Sequence, residues 1–169
     1  YANVLSNTAN VHILREDYAA ALPMLTESLR RFSAIGDQRS IAITNCNLGE
    51  ALARGGLTSV EITLRTPAAL EVIRRMGQMD NDLLVGAGTI ISEGDVDAAL
   101  KAGADFLVTP GASPLLLEAL GSHDGVILPG VSTVSEAMAR FDEGYGVVKF
   151  FPAEAAGGVN FLKALGGPL

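Results

Sequence analysis

Cysteine is almost absent. Cys46 stands alone, so no internal disulfide staples the chain, and a reduced cytoplasm is the compartment to expect. No apolar run reaches the roughly 18–20 residues of a membrane span, and no signal peptide is visible. Basic runs are missing as well. With a net charge of −7 and a pI near 4.7, the chain offers no footprint for a nucleic-acid backbone. An anion would be held only where Arg, Lys and backbone N–H groups cluster locally. His12 and His123 have no Cys, His or Asp at ligand spacing, so no metal site is suggested. Each is expected as a surface or helix-packing histidine.

What remains is rich in core-forming residues. Of the 169 residues, 49% are hydrophobic and 18% charged, enough for one or at most two packed domains. The 19 glycines cluster in the second half, where an α/β protein needs them at strand-to-helix corners. The chain begins at Tyr1 and ends in Gly166-Gly167-Pro168-Leu169. That loop-like end and the missing Met read as cuts inside a longer protein.

Two styles of sequence follow one another. Residues 1–54 read as helices. Leu5, Ala9, His12 and Ile13 fall at helical spacing, as do Tyr18, Ala21, Leu22, Leu25 and Leu29, with Arg15-Glu16-Asp17 as a polar turn between them. Gly36 is placed to cap the second helix, and a third is expected from about Arg39 to Arg54. Ser6-Asn7-Thr8-Ala9-Asn10 and Cys46-Asn47-Leu48-Gly49-Glu50 lie 40 residues apart in similar surroundings, a period that suggests stacked helical hairpins. After Gly56 short β-rich runs alternate with helical ones. The strands expected are Ser59–Leu64, Leu83–Ala87, Phe106–Thr109, Val126–Leu128 and Gly146–Phe151. The helices expected are Pro67–Gln78, Glu93–Ala102, Pro114–Leu120 and Val134–Glu143. Thr66-Pro67 and Ser113-Pro114 look like helix starts, and Ser132 or Thr133 like the cap of the helix that holds Glu136. Repeated β-α units imply a parallel sheet, as an open doubly wound sheet or a (β/α)8 barrel.

In both architectures chemistry gathers at the C-terminal ends of strands. Lys149 is the most informative residue there. It sits in Val147-Val148-Lys149-Phe150-Phe151, a run that should be buried on both faces. Burying an ammonium is costly, and the neutral amine that burial favours is the form that attacks a ketone. A lysine that snorkels at a strand end or pairs with a carboxylate is the bland alternative. Glu61, within Val60-Glu61-Ile62-Thr63-Leu64, is a candidate partner of Lys149 for proton shuttling. A structural ion pair is its alternative. Arg65 is placed to clamp a carboxylate or phosphate, or to stand on the surface. Thr89 follows Gly86-Ala87-Gly88, glycines that allow close approach to a ligand. Gly86-Ala87-Gly88 is no dinucleotide fingerprint, because the third glycine and the acidic ribose ligand are not in place.

Read in order, these strand ends resemble the KDPG/KHG aldolase family of class I aldolases. The matching segments are Val60-Glu61-Ile62-Thr63-Leu64-Arg65-Thr66, Val85-Gly86-Ala87-Gly88-Thr89, Val108-Thr109-Pro110-Gly111, Leu128-Pro129-Gly130-Val131 and Lys149-Phe150-Phe151-Pro152-Ala153-Glu154. The resemblance covers residues from about 48 to 169. It implies that Lys149 forms the carbinolamine and Schiff base with pyruvate and that Glu61 is the general acid/base. It implies too that Arg65 and Thr89 hold substrate oxygens, that Pro110 shapes the pocket and that Phe151 packs on the pyruvyl group. Such an enzyme cleaves 2-keto-3-deoxy-6-phosphogluconate or 4-hydroxy-2-oxoglutarate to pyruvate and an aldehyde. It needs no metal or organic cofactor, and the family implies a homo-oligomer, a trimer. Asp17-Tyr18-Ala19-Ala20-Ala21-Leu22 with Ser28-Leu29 resembles the tetratricopeptide repeat, over about one and a half repeats.

The expected architecture is therefore α/β. A helical repeat-like segment over 1–54 precedes a partial barrel over 55–169 with about five of the eight strands of a (β/α)8 fold. A family member should begin with a strand before Leu48–Gly55; here helices take that place, and no strand is expected to pair with Ser59–Leu64 from that side. The last two strands, with their phosphate-binding turns, lie beyond Leu169 by the same resemblance. A gene fragment, an assembly artefact and a deliberate chimera all fit. Lys149 and Glu61 are expected in one pocket, from adjacent strands or nearly so, with Arg65 and Thr89 opening onto it. The competing readings are a peptide-binding helical fragment and an inactive chimera.

Overall fold

The computed structural model describes residues 1–79, 82–123 and 125–166. The expected loop at Gly167-Pro168-Leu169 lies outside the described residues. Three helices come first: α1 (Ala2–Leu14), α2 (Tyr18–Ile35) and α3 (Gln38–Arg54). Their ends are written locally. Asp17 caps α2 through the Ala20 N–H and Asp37 caps α3 through the Ser40 N–H, each satisfying a helix-end donor. Gly36 closes α2 at φ 70°, the left-handed conformation a C-terminal glycine adopts cheaply. Pro23 lies inside α2, where its ring nitrogen cannot donate to the Ala19 carbonyl, and the helix continues past it.

The alternation of strands and helices follows: β1 (Ser59–Thr63), α4 (Ala69–Met76), β2 (Leu84–Gly88), α5 (Glu93–Lys101), β3 (Phe106–Val108), α6 (Pro114–Gly121) and β4 (Val126–Leu128). Then come β5 (Gly130–Val131), α7 (Val134–Asp142), β6 (Lys149–Phe150) and α8 (Gly158–Leu165). Strands β1-β2-β3-β4 form one parallel sheet in chain order, and β5 pairs in parallel with β6. Parallel strands need crossovers, which the helices supply. Val85 and Ala87 of β2 are fully buried, as expected of a parallel strand covered on both faces.

Several elements differ from expectation. The chain has six described strands where five were read. Pro129 lacks an N–H and interrupts the fourth run, so Gly130–Val131 becomes a separate strand that pairs with β6. The break is bridged by the buried Thr109, whose hydroxyl accepts the Gly130 N–H at 3.0 Å. The last strand is only Lys149–Phe150, not Gly146–Phe151, because β5 is its sole ladder partner among the described residues. For the same reason Val147 is 63% exposed and Phe151 42%, so the Val147–Phe151 run is not buried on both faces. Thr66-Pro67 does not start α4: the Ala69 N–H bonds to the Thr66 carbonyl in a turn, and the N-cap is Ala68. Ser113-Pro114 does start α6, with Ser113 accepting the Leu116 N–H. Helix α8 was not anticipated.

No strand occurs in residues 1–58, and β1 has β2 as its only strand partner among the described residues. The N-terminal helices nonetheless share a core with the strands. Phe32 of α2 and Ile41, Ala42 and Cys46 of α3 belong to the same buried cluster as Val72, Ile73 and Met76 of α4 and Val85 of β2. Full burial of a side chain such as Ile73 is worth about 1.5–3 kcal/mol. The contact is close: a Cβ on Gly49 would run into the Met76 side chain. A second cluster, Ala9, Ile13, Ala21, Leu25 and Ala51, holds α1, α2 and α3 together. The two similar segments meet there, with Asn47 Nδ2 donating to Asn10 Oδ1 at 2.8 Å. No helix among the described residues is long and apolar enough to cross a membrane.

Candidate active site

Glu61 leaves β1 opposite Gly86 and reaches over Gly88 of the neighbouring strand. A Cβ on Gly88 would occupy the space of the Glu61 carboxylate, so this glycine is required for the side chain to lie where it does. The close approach that the Gly-Ala-Gly corner permits is thus made by a protein carboxylate. Gly86 serves differently: the Phe106 ring covers it.

Lys149 arrives from the other end of the strand array. Its Nζ lies 3.5 Å from Glu61 Oε1, with the two side chains 29% and 32% exposed. Strands β1 and β6 share no ladder among the described residues and belong to different sheets, so the pair joins the two sheets side chain to side chain. The two side chains meet as expected of one pocket, but from strands that share no ladder among the described residues. The same ammonium stands 5.4 Å from the centroid of the Phe151 ring, within cation–π range.

Phe151 and Pro110 line one cavity of about 280 Å³, with Gly111, Gly130, Ser132 and Arg140. Arg140 donates from Nη2 to Glu143 at 2.7 Å, while its Nε is buried without a partner among the described residues. Thr89 is half-buried directly after Gly88, at φ 62°, a left-handed conformation that costs a β-branched residue of order 1–3 kcal/mol. Arg65 is exposed beyond β1, its Nε donating to Thr63 Oγ1 at 3.3 Å. Among the described residues neither Arg65 nor Thr89 hydrogen-bonds to Lys149 or Glu61. The structure therefore brings together Lys149, Glu61 and Phe151, with Pro110 lining the same cavity as Phe151, and leaves Arg65 and Thr89 just past the ends of β1 and β2.

Two contributors were read only as helix-cap material. Thr133 caps α7 in a capping box with Glu136. The Glu136 carboxylate also accepts the Ser132 N–H at 2.8 Å and the Thr133 N–H at 2.9 Å. These bonds, the Ser132 N–H first and the Thr133 hydroxyl next, hold its carboxyl below the ordinary glutamate range. The Ser132 hydroxyl meanwhile donates to the Phe151 carbonyl at 2.6 Å. The Ser-Thr-x-x-Glu spacing advertised the cap, but no local pattern shows which distant carbonyl the serine meets.

The arrangement offers an amine, a carboxylate within reach of it, an aromatic face and an adjoining cavity. That set suits attack on a small carbonyl compound. Known proteins resemble the chain. The profile of the family described as KDPG and KHG aldolase matches residues 38–169, which takes in α3. A 2-dehydro-3-deoxy-phosphogluconate aldolase of Pseudomonas aeruginosa is 46% identical over 121 residues, 72% of this chain and 55% of that protein. The KHG/KDPG aldolase of Escherichia coli is 41% identical over 121 residues, 72% of this chain and 57% of the relative. The chain thus spans little more than half the length of the curated relatives it matches. Among solved structures, a Zymomonas mobilis 2-keto-3-deoxy-6-phospho-gluconate aldolase superposes with a TM-score of 0.70 at 38% identity, covering 75% of this chain and 61% of that one. A Legionella pneumophila KDPG aldolase, captured with pyruvate as a covalent carbinolamine intermediate, gives a TM-score of 0.62 at 42% identity, covering 67% of this chain and 55% of that one. The chain belongs to the KDPG and KHG aldolase family.

Proposed function

We propose that this chain carries the imine-forming centre of a class I aldolase that cleaves 2-keto-3-deoxy-6-phosphogluconate or 4-hydroxy-2-oxoglutarate to pyruvate and an aldehyde. The observation that carries the reading is the meeting of Lys149 Nζ and Glu61 Oε1 at 3.5 Å, from strands that share no ladder. Lys149, as the neutral amine, adds to the C2 carbonyl, and the carbinolamine loses water to a protonated imine. That imine accepts the electron pair of the C3–C4 bond as the C4 hydroxyl gives up its proton. The aldehyde leaves, and the enamine takes a proton at C3 before water releases pyruvate. Glu61 is the group placed to accept and return these protons. Phe151 and Pro110 supply the apolar wall against the pyruvyl methyl, and Arg65 and Thr89 hold the carboxylate and neighbouring oxygens.

We read the six strands as part of a (β/α)8 barrel and α1–α3 as a tetratricopeptide-like segment that replaces its first β-unit. The hairpin of α1 and α2 supports the latter, but three helices are too few for a repeat array with a peptide groove. That weighs against the interaction-module reading. A cytoplasmic setting suits the single buried thiol, and a trimer follows the family expectation.

Activity of the 169-residue polypeptide alone is another matter. Lys149 keeps 29% exposure, and the outer edges of β1 and β6 have no strand partner among the described residues. Remote phosphate contacts normally hold the reacting carbons in place. Imine formation with pyruvate is therefore expected to persist, with little turnover of the phosphorylated substrate. The test is borohydride reduction in the presence of pyruvate, followed by peptide mass spectrometry. An adduct on Lys149, absent in Lys149→Met, is expected. No adduct, or an adduct on Lys101 or Lys163 alone, would overturn the reading.

A further inference from the structure

We infer that Ser132 is a positioning residue for the Lys149 centre, acting through its hydrogen bond to the Phe151 carbonyl. The inference rests on Lys149 being the imine-forming amine. Strand β6 is two residues long and has a single ladder partner among the described residues, which is itself two residues long. Besides the short ladder with β5, backbone bonds tie it at each end: the Lys149 N–H to the Pro129 carbonyl at 2.9 Å, and the Phe151 N–H to the Val131 carbonyl at 3.0 Å. Beyond Phe151 the chain turns away through Pro152, which has no N–H to add. The Ser132 hydroxyl adds a side-chain tie, donating to the Phe151 carbonyl at 2.6 Å. It holds the residue whose ring stands 5.4 Å from Lys149 Nζ.

Ser132 is itself held. Its N–H bonds to Glu136 at 2.8 Å, and Glu136 is anchored in the first turn of α7 by the capping box. A rigid helix end thus fixes a serine, and the serine fixes the carbonyl of the aromatic residue beside the reacting amine. Ser132 makes no hydrogen bond to Lys149 among the described residues, and its effect runs through Phe151. Removing the hydroxyl leaves the Phe151 carbonyl free to rotate towards water, and the ring and the Lys149 side chain lose a common reference.

The test follows the rate of the borohydride-trapped pyruvate adduct on Lys149 in the 169-residue chain. Ser132→Ala is expected to lower the limiting rate about tenfold, the scale set by a slightly misplaced reacting group, with the pyruvate concentration at half-maximum changed by less than about twofold. Acetylation of Lys149 by acetic anhydride needs the amine but not the pocket, and it should keep its wild-type rate. Ser132→Thr retains the hydroxyl and should restore trapping. Glu136→Gln keeps the serine but weakens its anchor, with an expected loss of about threefold, and it decides the question should Ser132→Ala fail to fold. An unchanged trapping rate in these variants would overturn the inference and leave the aldolase reading intact. A wild-type chain with no Lys149 adduct would overturn both. Parallel losses of trapping and acetylation, or no rescue by threonine, would mark Ser132 as merely structural and equally overturn the inference.

Discussion

Gly88→Ala is the sharpest probe of the site, because it separates stability from chemistry. Gly88 lies in β2 outside the left-handed region, so alanine suits its backbone. The new methyl would instead take the place of the Glu61 carboxylate. Overpacking costs about 1–3 kcal/mol in a closed core. Here the displaced group is the end of a side chain already 32% exposed, which can swing outward, so the low end, about 1 kcal/mol, is expected. Losing the ion pair adds little. At 3.5 Å the bare Coulomb energy in water is about 1 kcal/mol, and partly exposed pairs return roughly 0–1 kcal/mol net. The chemical cost is larger, since a positioned acid/base contributes about 10²–10⁴-fold. Pyruvate trapping at Lys149 should fall about a hundredfold per folded molecule, at the lower end of that range. Gly86→Ala is the control. Its methyl would meet the Phe106 ring, so it should cost about 1–3 kcal/mol and leave trapping per folded molecule near wild type. Thermal melting and time-resolved borohydride trapping on the three proteins give the answer. Equal trapping by Gly88→Ala and wild type would refute the assignment of Glu61, whatever the melting curves show.

Two further outcomes test the packing. Gly49→Ala should destabilise by about 1–2 kcal/mol, because the new Cβ meets the flexible but fully buried end of Met76; a smaller side chain at Met76 should recover part of the loss in chemical denaturation. Cys46 is buried, and burial pushes its thiol up to about 11. An aromatic disulfide reagent at pH 8 should therefore react only as fast as the protein opens. An unfolded thiol ionises near pH 8.5, so the stability gained by keeping Cys46 neutral is complete below that pH. It is lost as pH rises towards about 11. Immediate reaction of the folded protein at pH 8 would contradict the placement of Cys46 between α3 and α4.

Local rules carried much of the architecture. Helical spacing in residues 1–54, the caps at Gly36, Ser113 and Thr133, and the β-α alternation after Gly56 all depend on neighbours a few residues away, so they are legible along the chain. Short, ordered strand-end segments marked Lys149 and Glu61 for the same reason, and the family resemblance added Phe151. Where Pro129 breaks a ladder, or where Val147 loses its cover, the outcome depends on which strand lies alongside, and sequence spacing does not report that. The unread helix α8 follows Gly157 and opens at Gly158, two glycines that read locally as a break, and its tertiary anchor is Phe161, whose ring stacks on that of Phe150 at 5.2 Å.

The chain by itself determined the chemistry on offer: one amine, one carboxylate and one aromatic ring at strand ends, on an α/β alternation whose period no other pattern explains. Only the tertiary structure decided that Glu61 and Lys149 meet, because they stand on strands of two different sheets that share no ladder among the described residues. It also decided that Gly88 exists to admit a carboxylate and that Ser132 reaches the Phe151 carbonyl. Residues 88 apart in the chain come within hydrogen-bond distance only through accumulated strand twist and helix packing, long-range quantities that no single stretch of sequence encodes.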